Sequence, residues 1–164
     1  MTRRIVTLNV NSLTAALGRE GRRLLEFIDK NRGHVIALQE TMVDPKRTLR
    51  GNKWRITPFI RRVKQLGYHV IWHSATRGNG GYGGTMFLTL TEPEHVVIGT
   101  GDIGVDTEGR FMAMVFEDAI VINTYVPTLS LDLSGQDRKD KFWKAAEARY
   151  RTILADHPNR PAVW

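Results

Sequence analysis

Two apolar stretches and the pattern between them constrain this chain most. RIVTLNV, residues 4 to 10, and HVIALQE, residues 34 to 40, are rich in β-branched and aliphatic residues and have the length of strands. Between them Leu17, Leu24, Leu25 and Ile28 recur near helical spacing, with Ser12 or Thr14 available as N-cap and a stop at Asn31 to Gly33. Strand, helix and strand within about 30 residues make a right-handed parallel crossover. Parallel neighbours end on the same edge of their sheet. Asn9 and Glu40, each closing its strand, are therefore expected side by side, an amide next to a carboxylate.

A third polar end points the same way. AIVINTY, residues 119 to 125, is apolar until Asn123, Thr124 and Tyr125, and Pro127 then stops it. In open α/β sheets the crevice outside the carboxyl ends of the strands is where ligands bind. Further strands are read at 68–74, 82–90, 95–100 and 110–117, the last joined to AIVINTY through Glu117 and Asp118 as a hairpin. Gln136 to Ala155 is helical, with Phe142, Ala145, Ala146, Tyr150, Ile153 and Leu154 on one side and His157-Pro158 as its end. PAVW, residues 161 to 164, opens another core strand, a place where a natural C-terminus is not expected. The organisation is one domain over 1–164, and an incomplete one.

Composition narrows the chemistry. With 41% hydrophobic and 25% charged residues in a chain of 164, burial of a real core is affordable and disorder is not the default. The absence of cysteine excludes disulfides, thiolate zinc sites and cysteine nucleophiles, and gives no sign of an oxidising compartment, so an intracellular location is expected. MTRRIVTLNV is too short and too interrupted by Thr7 and Asn9 for a signal peptide or a membrane span, and no membrane partner is expected. The net charge of +7 resides in one segment. From Asp44 to Lys64 eight basic residues, Arg61 and Arg62 among them, face the single acid Asp44, while the rest of the chain balances. A basic segment on a neutral body suits a polyanion such as nucleic acid, or is simply a solvated loop or helix.

Taken one at a time, the candidates are ambiguous. Glu40 at the end of an apolar strand costs desolvation unless a cation, an arginine or a hydrogen-bond network compensates it. Mg²⁺ commonly binds through one or two carboxylates plus substrate phosphate, so one glutamate beside an amide suits a magnesium phosphoesterase. Asn9 alone is a turn or capping residue and Tyr125 alone a packing tyrosine on the rim. GNGGYGG, residues 78 to 84, lacks the Lys-Ser/Thr ending of a nucleotide P-loop and reads as flexible hairpin glycine. The five histidines show no metal-ligand spacing.

Together the motifs VTLNVNSL, VIALQET, GYGG, DTEGRF and INTYVP, in that order from residue 5 to about residue 164, resemble the exonuclease III-type apurinic/apyrimidinic endonucleases of the endonuclease/exonuclease/phosphatase superfamily. The resemblance implies the four-layer α/β sandwich of that type, here in its N-terminal portion. It implies that Glu40 ligates a catalytic Mg²⁺, with Mn²⁺ as an alternative, and that Asn9 supports and orients that metal site. Tyr125 would then sit against the scissile phosphate, and Tyr82 and Arg110 would contact the DNA backbone, with Arg61 and Arg62 of the basic segment as further DNA-binding candidates. The implied partner is double-stranded DNA with abasic sites or 3′ ends. Family members also use a Gly-Asp-x-Asn motif to activate water, expected directly after a strand such as PAVW, together with an Asp-His pair near the C-terminus. The 164 residues alone are therefore expected to be weakly active or inactive, and to self-associate through exposed sheet surface. Thr128 departs from the family by replacing the amide that follows Tyr-x-Pro.

Overall fold

The computed structural model describes residues 3–18, 22–43, 53–76, 82–129 and 135–164. Strand β1 (Ile5–Asn9) pairs in parallel with β2 (Val35–Gln39), Asn9 lying opposite Gln39. The connection between them contains two helices, not one: α1 (Leu13–Leu17), capped by the Ser12 side chain, and α2 (Arg22–Asn31). Gly18 separates them with φ of +63°, a conformation glycine adopts without a Cβ penalty. Its N–H closes the first helix on Ala15 O at 2.9 Å.

Helix α3 (Lys53–Gln65) leads into β3 (His69–His73), and β4 (Thr85–Thr89) inserts between β2 and β3, antiparallel to both. The first sheet thus has the order β1-β2-β4-β3. A second sheet follows: β5 (His95–Ile98), the short helix α4 (Ile103–Asp106), β6 (Phe111–Val115), β7 (Ile120–Thr124), helix α5 (Gln136–Asp156) and β8 (Ala162–Val163). Its order is β5-β6-β7-β8, with β8 parallel to β7. The hairpin expected at Glu117-Asp118 closes through Phe116 N–H to Ala119 O at 2.8 Å. Helix α4 had no signal in the periodicity, since four residues carry too little pattern to register.

Three apolar layers hold these elements, and the period-two alternation of the strands explains them. In β2, Ile36 and Leu38 face the helices, where Leu13, Leu17, Leu24, Ile28, Phe59 and Val63 cover the first sheet. Val35 and Ala37 point the other way and meet Phe87, Met112, Met114 and Val121 between the two sheets. On the far side Phe111, Ala113, Ile120 and Ile122 pack against Phe142, Ala146 and Ile153 of α5. Helices, sheet, sheet and helix are the four layers of an α/β sandwich. Among the described residues no helix is long and apolar enough to cross a membrane.

Candidate active site at the strand ends

The parallel pairing of β1 and β2 puts Asn9 and Glu40 on one edge, as their positions at the strand ends require. Asn9 Oδ1 accepts from the N–H of Asn11 at 2.9 Å, so part of its role is to turn the chain, and its second lone pair and amide N–H groups are left over. Glu40 is in the left-handed region, with φ of +58°. A non-glycine residue there is strained and persists only when its surroundings over-determine it. They do: Glu40 O accepts from Ser12 N–H at 2.8 Å, and the next N–H, that of Thr41, donates to Gly84 O at 3.1 Å.

Gly83 and Gly84 of GYGG provide the second half of that clamp and are packed in place. Gly83 and Gly84 are buried, with φ of +65° and +85°. A Cβ on Gly83 would stand 2.3 Å from Glu108 O, and one on Gly84 2.5 Å from Thr41 Oγ1. Gly83 O accepts from Met42 N–H at 2.9 Å, and Gly84 N–H donates to Glu108 O at 3.0 Å. Three loops, after β2, before β4 and before β6, are therefore fused at a separation only glycine permits. Residues 77–81, including all of GNGG, lie outside the described residues.

Tyr125 reaches the same place from the second sheet. Burial raises its pKa above the usual phenol range, and the Glu40 carboxylate raises it further through hydrogen bonding and charge, while Arg110 opposes the shift. The hydroxyl is thus protonated, and a donor, throughout the neutral range. Behind it the Arg110 guanidinium lies 4.4 Å from the Tyr125 ring centroid and donates to Tyr125 O at 2.8 Å. Arg110 also lies 5.0 Å from the Tyr82 ring centroid.

Arg110 itself is only 2% exposed. Its Nε donates to Glu108 Oε2 in a close ion pair, and its Nη2 has no hydrogen-bond partner among the described residues. The fork expected to contact the DNA backbone is thus enclosed here, with only Nη2 left over among the described residues. It holds Tyr125 and Tyr82. Tyr82 is 37% exposed and accessible, as a backbone contact requires. Arg61 and Arg62 are exposed on the last turns of α3, which delivers the chain to the start of β3, at the edge opposite Glu40. The structure does not bring them to the cluster. The remainder of the basic segment, 44–52, lies outside the described residues.

The sequence reads Asn123 only as part of a polar strand end and does not single out Arg138 at all. Asn123, 2% exposed, joins the sheets: its Oδ1 accepts from Gln39 Nε2 at 2.7 Å, and its Nδ2 donates to Leu38 O and Met86 O at 3.1 Å each. Its polarity at the end of a core strand serves a bridge, not a ligand. Arg138 of α5 donates to the Tyr82 hydroxyl and lies 3.8 Å from Glu108 Oε1. Neither was findable by spacing, because the partners lie about 40 to 90 residues away and meet only through the sheet pairing.

A cavity of about 360 Å³ opens at this edge between the sheets, lined by Thr7, Asn9, Gln39, Asn123, Tyr125 and Trp164 among others. A larger one, about 590 Å³, lies at the opposite sheet edges beside Lys64, Tyr68, His69, Glu92 and Val96. The smaller one touches the candidate site through Asn9 and Tyr125, while Glu40 lies outside its lining and apolar residues such as Ile5, Ala37, Val121 and Val163 form much of its wall. Among the described residues no group of three or more His, Cys, Asp or Glu stands ready to hold a metal ion. The donor set at the edge, one carboxylate with an adjacent amide, nevertheless fits a hard cation that keeps most of its shell for water and phosphate.

Comparison with known proteins reaches the same fold. The family model described as "Endonuclease/Exonuclease/phosphatase family" matches residues 6–163. An exodeoxyribonuclease of Bacillus subtilis is 26% identical over 98% of this chain and 56% of its own length. A DNA-(apurinic or apyrimidinic site) endonuclease of Dictyostelium discoideum is 25% identical over 98% of this chain and 40% of its own. The structure of a 3′ phosphatase from Neisseria bound to product DNA hairpin superimposes with a TM-score of 0.73 at 23% identity, covering 95% of this chain and 54% of that one. The chain thus spans about half the length of the relatives it matches.

Proposed function

The chain belongs to the endonuclease/exonuclease/phosphatase family, and on that premise we propose that it is the N-terminal half of a divalent-metal-dependent DNA-repair nuclease hydrolysing phosphodiester bonds at abasic sites or 3′ ends. The observation that carries the reading is the convergence of Glu40, Asn9 and Tyr125 on one strand edge, with Glu40 locked in a strained backbone by the loops beside it. Strain of that kind gathers at functional sites. The net charge of +7 and the names of the relatives favour DNA as the polyanion.

Glu40 would hold the cation, Mg²⁺ or Mn²⁺, with Asn9 beside it. When bound, such an ion stabilises the charge developing on the phosphoryl and leaving oxygens. The residues of this chain supply the rest of the phosphate's surroundings. Tyr125, kept protonated, donates its hydroxyl to a non-bridging oxygen. Arg110 fixes the Tyr125 ring and carbonyl, so that the hydroxyl is pre-organised rather than recruited. Tyr82 lies on the exposed rim, where a strand would pass. The Glu108 carboxylate is committed to Arg110 and is not free to act as a base, so water activation is assigned to the further length that the relatives possess.

The test is cleavage of duplexes carrying an abasic analogue, a 3′-recessed end or a 3′-phosphate, with Mg²⁺ and with EDTA, by this chain and by a version extended through the strands that follow in its relatives. Metal-dependent cutting by the extended protein supports the reading. Salt-sensitive binding without cutting by either form supports instead an inactive nucleic-acid-binding remnant. Cutting of some other phosphodiester with abasic DNA ignored would make it a relative with a different substrate.

A further inference from the structure

Arg138 lies in the first turn of α5, outside every motif that marks the site, yet its guanidinium lies 5.6 Å from the Tyr82 ring centroid and donates to the Tyr82 hydroxyl. Two arginines here share one carboxylate, and unequally. Glu108 holds Arg110 in a close pair through Oε2, whereas its Oε1 is 3.8 Å from Arg138 Nη1, at the limit of an ion pair. The two guanidiniums and one carboxylate leave a net positive charge, and its accessible part is Arg138, whose side chain is 46% exposed against 2% for Arg110. A planar fork, weakly paired and already oriented by a phenol, is well matched to a phosphate.

From this arrangement we infer that Arg138 is a DNA-backbone contact, binding a phosphate beyond the one facing Tyr125, and that Glu108 and Tyr82 orient its fork. The inference rests on the DNA reading above and adds to it a residue and a direction: the strand leaves the catalytic edge over Tyr82 toward the start of α5. An exposed arginine on α2, Arg23, stands as the comparison because it lies on a different element, away from this cluster.

The experiment is fluorescence anisotropy of a labelled abasic-analogue duplex against the chain at several KCl concentrations, with Arg138→Ala, Arg138→Lys and Arg23→Ala beside the wild type, and far-UV circular dichroism on each. Loss of one phosphate contact lowers the steepness of log K against log salt by about 0.9. Arg138→Ala is expected to show that decrease together with about tenfold weaker binding at low salt. Arg138→Lys should keep the wild-type steepness with part of the affinity lost, and Arg23→Ala should match the wild type. An unchanged steepness in Arg138→Ala overturns the inference, whether affinity is kept or falls, since a purely structural arginine would weaken binding without releasing a counterion. If the wild-type chain binds no DNA even at low salt, the DNA reading fails and this inference with it. Wild-type binding with an unaffected Arg138→Ala removes this inference alone.

Discussion

Asn123→Ala is the substitution whose cost follows most directly from the geometry. The side chain is 2% exposed and makes three hydrogen bonds that cross between the sheets, one accepted from Gln39 and two donated to Leu38 O and Met86 O. At about 1 kcal/mol for each net hydrogen bond, its loss costs about 3 kcal/mol. Gln39 suffers least, because its Nε2 retains Thr7 Oγ1 at 2.9 Å and Ala37 O at 3.2 Å. The two strand carbonyls suffer most, each losing a buried donor. Urea unfolding followed by tryptophan fluorescence and by circular dichroism gives the value. With a slope of about 2 kcal/mol per molar the midpoint should fall by about 1.5 M. Asn123→Asp should be worse at neutral pH, since an ionised carboxylate confronts two carbonyl oxygens without a proton to donate, and should recover partly as acid protonates it. A loss below about 0.5 kcal/mol for Asn123→Ala would mean that the bridge contributes little, and that apolar packing alone registers the two sheets.

Other consequences are equally open to measurement. Because the folded pKa of Tyr125 is raised by burial and then by Glu40, its contribution to stability is complete below the unfolded phenol value and is lost as pH climbs through the folded one. In an alkaline titration read at 295 nm, Tyr125→Phe should remove one late-titrating phenol and Glu40→Gln should make one titrate earlier; no change in either curve would deny that the two groups interact. Since Glu40 has φ of +58°, Glu40→Gly should be more stable than Glu40→Ala by about 1 kcal/mol in thermal or urea unfolding, the reverse of the usual order in regular structure. Equal stabilities would show that the backbone there is relaxed. Gly109→Ala should unfold far more easily than the wild type, as Gly109 has φ of +63° and a Cβ would stand 2.5 Å from His73 O; a shift of less than about 1 kcal/mol would contradict that packing.

What the sequence made legible was whatever depends on local pattern. The parallel unit from RIVTLNV to HVIALQE, the tight Glu117-Asp118 hairpin, the apolar face of the long helix and the strand character of PAVW all rest on near neighbours and recur in the structure. Chain direction alone then put Asn9 and Glu40 on one edge. What was not legible has a shared cause. A single glycine, Gly18, broke a helix whose apolar spacing ran on through it. The glycines near Tyr82 looked loose because the Glu108 and Thr41 atoms that crowd them are distant in sequence. Nothing in DTEGR reveals that Glu108 claims the Nε of Arg110 and the Tyr125 carbonyl its Nη1. Charge marked Arg61 and Arg62 as DNA-binding candidates but not where they lie, and the direction of α3 places them at the edge away from Glu40. Asn123 and Arg138 were missed for the same reason, since their roles exist only across the packed layers.

The central claim is that Glu40 is the metal-holding group of a phosphodiester-cleaving edge. It is tested most directly by comparing wild type and Glu40→Gln in the extended protein, cutting one abasic-analogue duplex over a range of Mg²⁺ concentrations. The account predicts that wild-type cutting rises with Mg²⁺ and vanishes in EDTA, and that Glu40→Gln, isosteric and correctly folded, loses at least a hundredfold in rate, on the order of 3 kcal/mol. A Glu40→Gln protein that cuts as fast as the wild type at the same Mg²⁺ would contradict it.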